Sequence, residues 1–160
     1  MTGMEEPIPS TGPINAPVYP SISHEELGRL LQKYGYDAES LSGTKDQGYR
    51  TLTEPPFTAW LQTPFRLRPG EYAGVFLHAR ANLPSEISAA VLQAVRFKTM
   101  VAHMDINRHG RLVVAHTLIL GGGITEYYFR DQLWYWMRDL ERIRDEIRKQ
   151  SRLAAGSTLH

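Results

Sequence analysis

The sequence predicts an α+β fold with the element order helix, three strands, helix, two strands, helix. Apolar residues recur at helical spacing over residues 24–34 and again after residue 125. Between these segments, short β-prone runs are divided by proline and glycine, which is typical of strands joined by turns. This order favours a five-stranded, mainly antiparallel sheet with the helices packed on it.

The composition is that of a single globular domain. The chain has 160 residues, of which 42% are hydrophobic and 22% are charged, and its formal net charge is +1. Such a small charge gives no general attraction to nucleic acid or to an anionic membrane. The chain contains no cysteine, which excludes thiol nucleophiles and thiolate metal sites. Glu5 and Glu6 stand where a secretory signal needs positive charge, and we expect a cytoplasmic protein.

Residues 1–21 are predicted to form a disordered, proline-rich arm. Proline removes backbone donors and resists helix formation. The arm contains Pro7, Pro9, Pro13, Pro17 and Pro20. It is either a passive tail or a segment that docks on a partner or on its own domain. A single domain is predicted over residues 22–152, followed by a flexible tail over residues 153–160.

The first helix is predicted over residues 24–34. Ser23 and Glu26 match a capping box, in which each side chain accepts a hydrogen bond from the other residue's backbone N–H. Ile22 and Leu27 stand at the positions where a hydrophobic contact fixes the entry of the chain into a helix.

Three strands and a second helix are predicted next. The strands are the β-prone runs 49–53, 57–63 and 72–81, which are separated by proline and glycine. The segment between the first helix and the first of these strands is predicted to be a loop. Residues 85–99 contain no helix breaker and carry apolar residues on one side, which predicts a helix.

The best-defined hairpin follows the second helix. Residues 100–107 alternate between apolar and polar types, as a half-buried strand does. The residues up to Gly110 suit a type I turn closed by a left-handed glycine, which favours a three-residue loop. This register pairs Ala102 with His116 and continues the apolar face along the second strand.

Histidine is the residue type of this chain that could hold a metal or transfer protons near neutral pH. The predicted register places His103 and His116 on opposite faces of the sheet, so we expect no metal and no cofactor. A slip of one residue would bring both beside Asp105, as a two-histidine, one-carboxylate site. The sequence has no nucleophile elbow, zinc-protease motif or Walker loop, and we expect no enzyme activity.

A last helix of about 26 residues is predicted after Thr125, which is a suitable N-cap. Apolar residues at spacings of three and four form a seam that is typical of burial against a sheet. The seam consists of Phe129, Leu133, Trp136, Leu140, Ile143 and Ile147. Arginines and carboxylates alternate over the other positions, including Asp139, which favours a solvated, self-paired face. We therefore expect no nucleic-acid partner, and no membrane partner either.

Several short motifs in the second half of the chain match a known family. They are the strand at 104–107, the turn at Gly110, the strand at 112–114 and the 122–125 entry to the last helix. With the second helix they make residues 83–147 resemble the YbjN family of bacterial sensory transduction regulators, whose fold is type III secretion chaperone-like. The resemblance implies a dimer that holds peptide segments or regulates a partner. Many members are markedly acidic, whereas this chain is slightly basic.

The most function-like feature is a cluster of large side chains early in the last helix. They occupy more than one side of the helix, so the sheet cannot bury all of them. Either they pack against the core and neighbouring elements, or they form a dimer or partner-binding surface, because aromatic residues are enriched at interfaces. The set is Tyr127, Tyr128, Trp134, Tyr135 and Met137. The expected function is a non-catalytic, chaperone-like or regulatory module, acting as a homodimer with an unidentified protein or peptide client.

The alternative is a small-ligand or anion-binding protein. A glycine-rich entry to a helix can cradle an anion, because free N–H groups and the helix dipole point at the ligand. The candidate residues are Gly121, Gly122, Gly123, Thr125 and Arg130. A tight strand-to-helix turn explains the same glycines without a ligand.

Overall fold

A computed structural model of the chain describes residues 17–42, 47–83 and 89–157. The strands are β1 (Val18–Tyr19), β2 (Ala38–Ser42), β3 (Gln47–Thr51), β4 (Thr58–Leu61), β5 (Arg66–Arg68), β6 (Glu71–Tyr72), β7 (Gly74–Asn82), β8 (His103–Ile106), β9 (Arg111–Ile119) and β10 (Ile124–Thr125). The helices are α1 (His24–Lys33), α2 (Ala89–Arg96) and α3 (Glu126–Ser157), and a short 3-10 turn lies at Thr63–Phe65.

The main sheet has six antiparallel strands in the order β2-β3-β4-β7-β9-β8. One face carries buried side chains at alternate positions, such as Ala59 and Leu61 on β4 and Val75 and Leu77 on β7. These side chains share one hydrophobic core with buried residues of α1, α2 and α3. The intervening residues of β4, on the other face, are half-buried. The predicted α+β class with a mostly antiparallel sheet is confirmed.

The main sheet has one more strand than the sequence predicts. β2 occupies a segment predicted to be a loop, and it pairs with β3 along its whole length. Its residues include none of the aromatic or β-branched types that favour strands, so pairing with β3 stabilises it more than local propensity does. A further two-stranded sheet, β5 with β6, fills the region between the second and third predicted strands.

The segment before α1 belongs to the fold. β1 pairs antiparallel with β10. Ile22 and Tyr72 exchange two backbone hydrogen bonds, with N–O distances of 2.8 and 3.0 Å. The prediction of a disordered arm over residues 1–21 is therefore wrong for Val18 and Tyr19, because strand pairing with β10 holds them. Residues 1–16 lie outside the described residues.

α1 begins where the capping box predicts. The hydroxyl oxygen of Ser23 accepts a hydrogen bond from the N–H of Glu26 at 3.1 Å. In return, Oε1 of Glu26 accepts one from the N–H of Ser23 at 3.3 Å. Ile22 and Leu27 are both buried next to this box. The capping box is confirmed.

α2 ends before the predicted end of the 85–99 helix. Its described part ends at Arg96, whose carbonyl oxygen accepts a hydrogen bond from the hydroxyl of Thr99 at 2.8 Å. The hydroxyl thus satisfies one of the carbonyl groups that a helix end leaves free. Residues 84–88 lie outside the described residues.

The hairpin of β8 and β9 has the predicted register and turn. Met104 lies opposite Val114. The N–H of Gly110 donates to the carbonyl oxygen of Asn107 at 3.0 Å, and Gly110 has a φ of 74°, the left-handed glycine of the predicted turn. β8 begins later than predicted, because the backbone N–H groups before it donate to a carboxylate of α3.

α3 follows its predicted N-cap. The hydroxyl oxygen of Thr125 accepts a hydrogen bond from the N–H of Tyr128 at 3.1 Å. The helix has 32 residues, so residues 153–157 are helical where the sequence predicts a flexible tail; residues 158–160 lie outside the described residues. Five seam residues are buried: Phe129, Leu133, Trp136, Leu140 and Ile143. None of the described helices is both long and apolar enough to cross a membrane.

Candidate functional site

The predicted aromatic set on α3 is divided between two sides of the helix. Tyr127 and Trp134 are two helical turns apart and lie on the same side. The guanidinium of Arg130 lies 5.1 Å from the ring centre of Tyr127, and that of Arg138 lies 4.9 Å from the ring of Trp134. These cation–π contacts cover part of each half-buried ring.

Tyr128 and Tyr135 form a second row on another side of α3. Tyr128 is exposed and Tyr135 is half-buried. The ring of Tyr135 meets that of Trp134 edge-on at a centre-to-centre distance of 5.3 Å. Met137 packs against the hydrophobic core. The predicted set is therefore two aromatic rows, which meet at the Trp134–Tyr135 contact, and one residue at the edge of the core.

The glycine turn before α3 allows close packing against β1. Gly122 and Gly123 have φ values of 83° and 88°, where glycine is unstrained. A Cβ atom on Gly123 would lie 2.5 Å from Cγ1 of Val18. Gly121 is exposed, and the hydroxyl of Thr125 is engaged as the N-cap of α3. The turn thus has a structural explanation that needs no anion.

Paired charges already occupy the first turn of α3. The buried carboxylate of Glu126 accepts hydrogen bonds from the hydroxyl of Tyr34, at 2.7 Å, and from the ammonium of Lys33. Burial raises the pKa of Glu126, but these hydrogen bonds outweigh burial and hold its pKa below the ordinary value. Arg130 is paired with Oδ1 of the buried Asp131 at 3.0 Å. This geometry disfavours the predicted anion site, because a carboxylate already lies at the positive end of the helix dipole.

The two strand histidines lie on opposite faces of the sheet, as the register predicts. His103 is exposed and lies opposite Ala115. His116 is half-buried, with its Nε2 atom 3.0 Å from Oε1 of Gln132 on α3. Burial lowers the pKa of His116, so its ring is mainly neutral at pH 7. Within the described ranges, no group of three or more histidine, aspartate or glutamate side chains could hold a metal ion.

An apolar groove, here called the α3–β7 groove, lies between the distal part of α3 and the end of β7. Its volume is about 250 Å³. The lining comes from the helix, the sheet and the loop between β3 and β4. The apolar lining residues are Leu140, Ile143, Ile147, Ala79, Ala81, Val114, Pro55 and Pro56. The groove exists because β7 offers small alanine side chains where the helix offers leucine and isoleucine.

On the side of β4, the backbone of β7 has no strand partner among the described residues where it borders this groove. β4 pairs with β7 only as far as His78, whose partner is Thr58. β7 then continues to Asn82, paired on its other side with β9. Among the described residues, no strand pairs with residues 79–82 on the side of β4. The outward N–H and C=O groups of this stretch are therefore open to an added strand.

The rim of the α3–β7 groove is basic. Arg80, Arg144 and Arg148 line it together with one carboxylate, that of Glu54. Arg144 is paired with the exposed Asp145 at 3.1 Å. In the described part of the chain, no carboxylate forms an ion pair with Arg80 or Arg148. This charge favours a partner that carries carboxylates.

A buried carboxylate ties α3 to the start of the β8–β9 hairpin. Asp139 is fully buried, and its oxygens accept hydrogen bonds from the backbone N–H groups of Met100, Val101 and Ala102 at 2.8–2.9 Å. The prediction that Asp139 belongs to a solvated face is wrong, because these three donors compensate for its burial. Asp139 therefore positions the hairpin and is part of the scaffold.

The face of the sheet opposite the helices carries aromatic side chains in register, and it is called the open sheet face below. Trp60 on β4 lies directly opposite Phe76 on β7, and both are half-buried. The ring of His78 follows on β7, with its centre 5.8 Å from that of Phe76 and the two planes inclined by 32°. A concavity of about 500 Å³ spans these side chains.

Comparison with known proteins identifies a structural relative. No protein-family model matches the chain, and no match is found among curated proteins. The crystal structure of YbjN from E. coli, a proposed transcription regulator, matches with a TM-score of 0.53 at 17% sequence identity, covering 82% of this chain and 92% of that one. The chain has a YbjN-like fold. At this identity the likeness concerns the fold alone, which supports the predicted resemblance at that level.

Proposed function

We propose that the chain is a non-catalytic module that binds an extended peptide in the α3–β7 groove, in a chaperone-like or regulatory role. The observation that carries this proposal is the edge of β7 over residues 79–82, which no described strand pairs on the side of β4, beside an apolar groove. An extended peptide can add a strand to such an edge, and its main-chain hydrogen bonds then provide affinity. Every second side chain of that peptide points to the same face, where a groove can select it.

The partner that fits this groove alternates apolar and acidic side chains. The floor is aliphatic, with Ile143 and Ile147 facing the alanines of β7. Arg80 and Arg148 at the rim have no carboxylate ion pair within the described residues. In an added strand, the valines of a peptide of alternating valine and glutamate would face α3, and its glutamates would point to the opposite face of the sheet, where Arg80 lies.

Fluorescence anisotropy with labelled peptides tests the proposal. A peptide of alternating valine and glutamate is expected to bind at least about tenfold more tightly than one of alternating valine and lysine, because like charges at the rim oppose the second. Ile147→Ser is expected to weaken binding, since it places a polar group in the apolar lining. Ile119→Ser is the matched control, because it makes the same change at an exposed residue of β9 outside the groove.

Strand addition is tested without altering the protein. N-methylation of alternate residues of the valine–glutamate peptide removes the donors that would pair with β7, and it is expected to abolish binding. In NMR spectra, the backbone amide resonances of residues 79–82 are expected to shift when the unmodified peptide binds. Equal affinity for the glutamate and lysine peptides, or unchanged affinity in Ile147→Ser, would show that the groove is not the site.

We also propose that the module is a homodimer. Four aromatic side chains of α3 remain outside the core, and aromatic residues are enriched at subunit interfaces. They are Tyr127, Tyr128, Trp134 and Tyr135. Light scattering at tens of micromolar is expected to give twice the mass of one chain, and Tyr128→Ser is expected to reduce that mass. A monomer mass for the unmodified chain would contradict the proposal.

A further inference from the structure

We propose that the open sheet face binds single-stranded nucleic acid, with bases stacking on Trp60 and Phe76 and phosphates contacting Arg80. This surface lies on the side of the sheet opposite the α3–β7 groove. It shares Pro56, Ala79 and Arg80 with the lining of the α3–β7 groove, so the two sites are told apart by residues that line only one of them, such as Phe76 and Ile147.

The aromatic side chains of this face form a platform. Trp60 and Phe76 are cross-strand partners. Gly48 on β3 lies beneath the indole, since a Cβ atom there would be 2.9 Å from Cε3 of Trp60. The absence of a side chain at Gly48 lets the indole lie close over the strand. The rings of Phe76 and His78 are inclined by only 32°, so they extend this surface along β7. Bases of any sequence can stack on such rings.

The charge of the concavity is positive. Arg50 and Arg80 line it, and no described aspartate or glutamate does. Arg50 lies 3.5 Å from Glu39, an exposed pair of the kind that contributes little. Nε of Arg80 lies 3.5 Å from the ring nitrogen of His78. Burial and the nearby Arg80 lower the pKa of His78, so near pH 7 the positive charge is that of the arginines.

An anion that carries planar rings fits this combination of aromatic rings and arginines better than a second copy of the chain, an acidic peptide or a small molecule does. A second copy of the chain, packed face to face, would bring arginines towards arginines, which disfavours self-association through this face. An acidic peptide would satisfy the arginines but would leave the aromatic platform without stacking partners. Small-molecule sites bury most of their ligand, whereas this concavity lies across the strands on an open surface, as in proteins that bind single strands.

The arginines of α3 differ in their surroundings from those of the open sheet face. They are interleaved with carboxylates, as in the Arg138–Glu141 pair at 3.2 Å and the Arg144–Asp145 pair at 3.1 Å. For α3, the expectation of no nucleic-acid partner rests on that pairing, beside the small net charge of the whole chain. It does not extend to the open sheet face, where the concavity has no carboxylate lining among the described residues.

Fluorescence anisotropy of a labelled oligothymidylate about 12 nucleotides long tests the proposal. Phe76→Ala is expected to weaken binding about tenfold or more, because a stacking ring is lost. Phe76→Leu keeps an apolar side chain of similar size without the ring, and it is expected to weaken binding similarly while the fold is retained. Phe97→Ala, at a site that is 81% exposed after α2, is the matched control and should bind normally.

Salt dependence tests the charge component. If two phosphates are neutralised, the logarithm of affinity is expected to fall against the logarithm of salt concentration with a slope of about −1.4. Arg80→Gln should reduce the magnitude of that slope by about 0.7. Arg152→Gln removes the same charge from an exposed position on α3 and should leave the slope unchanged.

Three results would overturn the proposal. The first is no binding of the oligothymidylate at protein concentrations up to about 100 μM, the weak end of non-specific nucleic-acid binding. The second is normal binding by Phe76→Leu. The third is displacement by free thymidine monophosphate at equal concentration, which would assign the surface to a nucleotide. Ile147→Ser should leave oligothymidylate binding intact, and Phe76→Leu should leave binding of the valine–glutamate peptide intact, so failure of one site is distinguishable from failure of the other.

Discussion

The two halves of α3 follow the same apolar spacing but contact different surroundings. In the proximal half, residues 126–139, the seam residues are at most 1% exposed: Phe129, Leu133 and Trp136. This half is also tied to α1 through Glu126. In the distal half, residues 140–157, the seam ends at the half-buried Ile147 and borders the α3–β7 groove.

The difference between the halves comes from what lies opposite each one. Trp136 of the proximal half meets the ring of Phe57 edge-on at 5.9 Å. The distal half instead borders a groove whose sheet side includes Ala79 and Ala81. Small side chains leave volume unfilled. The same apolar spacing on α3 therefore gives a closely packed core along the proximal half and a groove along the distal half. We therefore expect the proximal half to contribute stability and the distal half to contribute binding.

The largest expected effect is that of Trp136→Ala. The side chain is fully buried, so its removal should lower the free energy of unfolding by about 3–5 kcal/mol, as measured by urea denaturation. Trp134→Ala is the matched control, because the same residue type is half-buried two positions earlier. We expect it to cost about 1 kcal/mol or less. Similar losses in both variants would contradict the view that the buried seam, and not the row of Tyr127 and Trp134, stabilises this half.

Asp139→Ala is expected to have the next largest effect, at the junction of the two halves. It leaves three backbone N–H groups without their acceptor, which should cost about 3 kcal/mol in urea denaturation. Asp145→Ala makes the same change at an exposed position of α3 and should alter stability by about 0.5 kcal/mol or less. If Asp139→Ala were equally neutral, the hairpin would not depend on this carboxylate.

The helix entries and the β8–β9 hairpin could be predicted because their signals are local. The capping box at Ser23, the turn glycine Gly110 and the N-cap Thr125 each act within a few residues, and the structure contains all three. β1 and β2 have no comparable local signal. β1 depends on pairing with β10, which lies more than 100 residues later in the chain. The composition of β2 argues against a strand, and β2 depends on pairing with β3.

The candidate site could be predicted only in part for the same reason. Residue type alone singles out the aromatic side chains of α3. The α3–β7 groove is assembled from three distant segments, namely the Pro55–Pro56 loop, the end of β7 and the distal half of α3. Alternating charge on a helix likewise cannot separate Asp139 from its solvated neighbours, because its donors lie 37–39 residues away in the chain.

Glu126→Gln tests the polar anchor of the proximal half. The folded-state pKa of Glu126 lies below its ordinary value of 4.5. The ionised carboxylate therefore contributes its full stabilisation of the fold at pH values above 4.5. This contribution is lost as the pH falls through the folded-state pKa. The substitution should cost about 1–2 kcal/mol near neutral pH, and the difference from the unmodified chain should shrink on acidification. Glu141→Gln, in a half-exposed pair with Arg138, should cost about 0.5 kcal/mol or less at any pH. A difference for Glu126→Gln that is independent of pH would rule out ionisation as its cause.

Ala81→Val is expected to change binding more than stability, because it fills the distal groove from the sheet side. Ala81 is half-buried on β7 and lines the α3–β7 groove. Valine suits a strand and occupies volume that a peptide side chain would use, so stability should change by about 1 kcal/mol or less. Affinity for the valine–glutamate peptide should fall about tenfold. Ala115→Val, at a half-buried position on the open sheet face, should leave that affinity unchanged. A stability loss above about 2 kcal/mol would mean that the distal half is packed as tightly as the proximal half, and that the groove has no room for a peptide.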